Sequence, residues 1–243
     1  MLAAHRPTWL AFVCLCGIGG CANLAVMPPT PARYLDLTGL GEPPPAERFY
    51  VVLFGSESTP RIPRFSHSWC VVVHVTEQGE GCPPRIETHT ISWMPSTLQI
   101  RCWSPRIERG ENLGLQETLR WAQGTGQRIA QWGPCECRPE LFYRLATQHQ
   151  FLESGRIGYQ CIDTMGEAFR TGNGCDCIHA ITDADPEFNR AHYRLIGFGI
   201  PASRFIASEL RCRDMLINPD YTHEWLNQVL GLNAYRIDEH WRW

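Results

Sequence analysis

Lysine is missing from this chain: all 22 basic residues are arginine. The codon bias of a GC-rich genome is enough to produce that, so no function follows from it. The arginines form no cluster or stripe, and the formal net charge is only −3. A surface that tracks a phosphate backbone is therefore excluded, and nucleic-acid partners with it. No apolar run reaches the roughly 20 residues of a membrane-spanning helix. There is no internal repeat and no second domain pattern, and no cofactor is implied. What remains is a chain of 243 residues, 44% of them hydrophobic, long enough for one substantial core.

The N-terminus carries a targeting pattern. His5 and Arg6 precede an apolar stretch from Trp9 to Ile18, the length of a signal-peptide core. It ends in Ile18-Gly19-Gly20-Cys21, which resembles a bacterial lipobox in which Cys21 receives the lipid. Residues 1–21 are thus expected to export the protein and to leave it membrane-anchored in the cell envelope, on the periplasmic side. An ordinary cleaved signal or an uncleaved anchor are the other readings of the same stretch. Residues 22–47 contain Pro28-Pro29 and Pro43-Pro44-Pro45, an extended tether. The globular domain is then 48–243.

Export sets the reading of the twelve cysteines, because an oxidising compartment permits disulfides. Setting aside Cys14, Cys16 and Cys21 leaves nine, an odd number, so at least one thiol stays free. If that thiol is Cys177, the other eight can form up to four bridges, with a pairing that spacing does not decide.

Along the domain, Phe49–Phe54 reads as a buried strand and Ser68–Val75 as a β-branched one. Ile86–Trp93 follows as a third, and Leu98–Trp103 as a possible further one. The connections are too short for crossover helices, which favours antiparallel pairing. Leu113–Trp132 is amphipathic but interrupted by Gly124 and Gly126. Pro139 suits a first helical position, and Gly155 stops that helix. Ile157–Ile162 reads as a short strand, Cys177–Ala184 as a short helix after the Asn173-Gly174 turn. Helical stretches near Ser203–Leu216 and His223–Leu230 close the chain. The pattern is α+β: an antiparallel sheet packed with helices.

The most informative segment is Asn173-Gly-Cys-Asp-Cys177-Ile-His-Ala-Ile. A thiol in the first turn of a helix faces free N–H groups and a partial positive charge, which favour the thiolate. Asp176 opposes this, or else caps the helix. A nucleophilic thiol also needs a base held by a rigid element. His67, in Phe65-Ser-His-Ser-Trp69, stands at the start of an apolar strand. Together His67-Ser-Trp-Cys-Val-Val-Val, Thr88-His89-Thr-Ile-Ser-Trp93 and Cys177-Ile-His-Ala-Ile resemble the circularly permuted papain-like superfamily, which includes NlpC-type and lecithin:retinol acyltransferase-like proteins. The resemblance covers residues 48 to 186. It implies a papain-like fold and a cysteine peptidase, amidase or acyltransferase with Cys177 as nucleophile, His67 as base and His89 as third member.

The residues leave alternatives open. His67 and His74 are seven apart on one strand, so they point to opposite faces and only one can look toward Cys177. A hairpin centred near residue 80 sets His74 opposite Glu87, and His89 opposite Val72. His179, two positions along the helix, points away from Cys177. The Cys177 N–H can serve an oxyanion, with a side chain such as Gln160 as second donor. A non-catalytic envelope module on the same fold is the main alternative; a four-thiolate metal site from Cys135, Cys137, Cys175 and Cys177 is a lesser one. Cell-wall peptides or lipids are the expected partners.

Overall fold

The computed structural model describes residues 46–79, 81–185 and 197–243, all within one compact unit. The signal-like stretch with Cys21 and nearly all of the tether lie outside the described residues. No described helix is long and apolar enough to cross a membrane.

The architecture is α+β. Strand β1 (Glu47–Glu57) pairs antiparallel with β2 (Ser66–Thr76), and β2 with β3 (Arg85–Ile91). On its other side β1 pairs antiparallel with β6 (Arg128–Glu136), and β6 runs parallel to the short β9 (Glu239–Trp241). The sheet order is β3-β2-β1-β6-β9, so the sheet is mixed rather than purely antiparallel. Two ribbons flank it, β4 (Trp93–Pro95) with β5 (Gly110–Asn112) and β7 (Gly158–Tyr159) with β8 (Gly174–Cys175). The β2–β3 register sets His74 opposite Glu87 and His89 opposite Val72, as the hairpin count requires.

Helices cover both faces, which is why β1 and β2 read as continuous apolar runs instead of alternating ones. On one face Tyr50, Val52, Phe54, Trp69, Val71 and Val73 pack against α1 (Leu115–Gly124) and α6 (Trp225–Val229). On the other, Val51, Leu53, Cys70 and Val72 pack against α2 (Pro139–Glu153), α4 (Cys177–Thr182) and α5 (Ile200–Cys212). A short α3 (Gly166–Thr171) lies between β7 and β8. Each fully buried Val, Leu or Phe of these layers contributes roughly 1.5–3 kcal/mol.

Two sequence expectations change. Leu98–Trp103 forms turns, not a strand, and Leu98 has φ of +55°. The amphipathic stretch from Leu113 stops as helix at Gly124, and Ile129 and Trp132 belong to β6, where the open side of β1 takes up their backbone groups. Pro139 does open α2 as its first residue.

Candidate functional site

The first turn of α4 is built around Asp176. Its Oδ1 accepts the N–H groups of Ile178 (2.9 Å) and His179 (2.8 Å), so the carboxylate caps the helix and Cys177 is the first helical residue. His179 joins the same turn through its ring. Its Nδ1 lies 2.6 Å from Asp163 Oδ2 and 3.4 Å from Asp176 Oδ1, and Asp163 Oδ2 also accepts the Asp176 N–H. The result is a buried Asp–His–Asp knot that ties the loop after β7 to α4. Burial, reinforced by the neighbouring Asp163 charge, lifts the Asp176 carboxyl to about 7.

One oxygen or nitrogen from each member of this knot lies within 4.8 Å of the others, and no other such group of three or more metal-ligating side chains occurs among the described residues. Within the knot the two carboxylates accept four N–H bonds, which lock the loop after β7 onto the helix start. The four thiols of the metal-site alternative, Cys135, Cys137, Cys175 and Cys177, do not gather into such a group. Cys135 Sγ instead lies 3.2 Å from the Asn218 carbonyl. All nine described cysteines are unbridged thiols.

Cys177 packs against the α2/α5 face of the sheet, and its sulfur meets the backbone N–H of Ser68 on β2. Burial, and then the charge of Asp176, hold this thiol far above its ordinary pKa. The positive end of a six-residue helix does not offset them. The side chain that β2 turns toward this face is Ser68. Its Oγ is 2.8 Å from Ser203 Oγ, which in turn is 2.9 Å from the Phe54 carbonyl. Ser203 has one proton to give; it donates to the carbonyl and accepts from Ser68. Gly55, opposite Ser68 in the β1–β2 register, permits this approach, since a Cβ there would sit 2.6 Å from Ser203 Oγ.

His67 points the other way. Its ring stacks on Trp69 (centroids 5.5 Å apart) and meets Trp121 of α1 edge-on at 5.8 Å. Its Nε2 is 2.9 Å from Ser92 Oγ, which lies 2.7 Å from Thr118 Oγ1; Thr118 also reaches the Gly114 carbonyl. A chain of donors running from Nε2–H through Ser92 and Thr118 to that carbonyl satisfies every proton. It leaves at Nδ1, which has no partner, only a lone pair. His67 is completely buried, and burial pushes its imidazole down to about 3.

The structure therefore does not bring Cys177, His67 and His89 together. His67 and Cys177 occupy opposite faces of β2. His89 shares the Cys177 face, but it pairs with Val72, four residues beyond Ser68 and about 13 Å along the strand. There it lies 3.0 Å from Glu87 and beside His149, with ring centroids 5.2 Å apart. His74 is also on this face, stacked on Phe49 and farther still from Cys177. Gln160 is engaged in its own loop, donating to the Met165 carbonyl and accepting the Ala168 N–H.

Sequence reasoning missed Ser68 and Asp163. Strict alternation from Cys70, had its face been known, points to Ser68; Asp163 sits in a loop with no periodicity to single it out. On another part of the surface an open groove of about 630 Å³ runs between residues 220–227 and the C-terminal strand, lined by Asp220, Tyr221, Glu224, Asn227, Trp241 and Arg242 among others. Compared with known proteins, the chain matches no family model, no curated protein and no solved structure.

Proposed function

We propose that this is an exported, lipid-anchored envelope protein whose papain-like domain binds or scaffolds without thiol catalysis. The observation that carries this reading is the partition of β2: the residue facing Cys177 is Ser68, whose hydroxyl cannot take a thiol proton, while His67 is buried behind the sheet. A base held down to about 3 is also a poor proton acceptor near neutrality. The groove beside Trp241 gives such a module a surface of ligand-sized volume. Its carboxylates, amide and guanidinium suit a cell-wall peptide better than a lipid chain.

Thiol-dependent acyl transfer is the second reading. It is favoured by one feature: Cys177 heads a capped helix with the Ser68 N–H at its sulfur, two kinds of donor that also stabilise an oxyanion. Labelling the full chain with iodoacetamide near pH 7, in wild type and in His67→Ala, separates the two. The binding module requires Cys177 to react no faster than the exposed Cys82 and Cys212, and to within roughly twofold the same rate in the variant. Selective labelling of Cys177 that disappears in His67→Ala would establish the enzyme instead.

A further inference from the structure

The loop after β4 and the segment after β7 meet through two cysteines that neither reading above uses. Glu108 and Tyr159 exchange both backbone hydrogen bonds, each 2.8 Å, and so fix the two segments against one another. Cys102 and Cys161 both rest on the small apolar cluster of Met94, Ile100 and Leu113. There the two thiols are near enough that each shifts the other's ionisation. The two are not equivalent. Their mutual interaction, with help from the Arg64 charge, brings Cys102 down to about 7, while Cys161 is held far up by the same interaction and by burial. Cys177 is a further neighbour of Cys161.

We propose that Cys102 and Cys161 are a redox-active pair that closes into a disulfide, pinning the loop after β4 to the segment that carries Asp163. The oxidant is an external disulfide, either oxidised glutathione or that of a thiol–disulfide oxidoreductase. The Cys102 thiolate attacks one of its sulfurs, forming a mixed disulfide and expelling one thiolate, which takes up a proton. Cys161 then gives up its proton and attacks the Cys102 sulfur, expelling the second thiol. Two protein thiols are oxidised by two electrons, and one external disulfide is reduced to two thiols. Both thiols are partly exposed; Cys102, the more acidic, is the sulfur that meets the oxidant, and Cys161 resolves it.

The test is to equilibrate the full chain with glutathione mixtures of increasing oxidised fraction, quench in acid, alkylate and map the cysteines by mass spectrometry. The expected result is that Cys102 and Cys161 lose alkylation together, by roughly tenfold, and appear as one linked peptide pair before any other thiol is modified. In Cys161→Ser, Cys102 should be trapped as its glutathione adduct. In Cys102→Ser, which removes the attacking thiol, Cys161 should remain alkylatable. Independent glutathione adducts on both cysteines of the wild type, or a Cys161–Cys177 link in place of Cys102–Cys161, would overturn the proposal.

Discussion

The two faces of β2 carry adjacent residues with opposite environments. Toward α1, His67 lies on Trp69 in an apolar layer, with a single hydrogen-bond chain leading out through Ser92. Toward α4 and α5, Ser68 faces Ser203 and Cys177, beside a buried knot of two carboxylates and an imidazole. One residue of offset decides which chemistry a side chain joins, because the strand period is two. A histidine that is next to the right position in sequence is across the sheet from it in space.

The contrast predicts how the faces break. Trp69→Ala should be the most damaging change, costing about 3–5 kcal/mol, since it empties a fully buried site under both Phe54 and His67. Ser68→Ala, one residue away, removes only a hydroxyl hydrogen-bonded to another hydroxyl and should cost about 1 kcal/mol. Urea unfolding of the two variants measures both. Equal losses would mean that the layer over α1 is not the stabilising one.

Acid separates the faces by sign. The folded-state pKa of His67 is depressed to about 3, so its contribution is present above the ordinary histidine value and is lost as pH falls from about 6.5 toward 3. The carboxyl of Asp176 is raised to about 7, so its contribution grows as pH falls through 7 and is complete near the ordinary carboxylate value. Between about pH 6.5 and 4 the two oppose each other, each by as much as a few kcal/mol. His67→Phe, which keeps a flat ring on Trp69, should therefore gain stability relative to wild type as the pH is lowered. Asp176→Asn, which keeps a capping side chain, should lose it more steeply. Unfolding free energies across that window decide the matter, and parallel curves for wild type and both variants would sink the assignment.

Much of this frame is legible in the sequence, and the reason differs by element. The hairpin register follows from the breaks around Gly79–Pro84, which set His74 opposite Glu87. The Pro139 helix start and the α4 cap follow from local chemistry that needs no neighbours. The face of His67 was not legible, because Ser66–Val73 is buried on both sides and alternation has no polar face to reveal. The parallel pairing of β9 with β6 joins segments a hundred residues apart, and no local pattern encodes it. Asp163 finds His179 only through the tertiary approach of a loop to a helix.

The smallest effect sharpens the comparison within one face. His89 sits in a partly exposed line of charges at the sheet rim, bonded to Glu87 and facing His149. Exposed ion pairs of this kind contribute little, so His89→Ala should change stability by no more than about 0.5 kcal/mol. It should also leave Cys177 labelling unchanged, since about 13 Å of strand separates them. One local response is expected. The pKa of His149 is held down first by burial, and then by His89 against the opposing pull of Glu153. Removing His89 should therefore let it rise, which an imidazole NMR titration reads directly. A rise at His149 with Cys177 unaffected places His89 in the rim network alone. A fall in Cys177 labelling would join rim and helix into one site and restore His89 as a partner of the thiol.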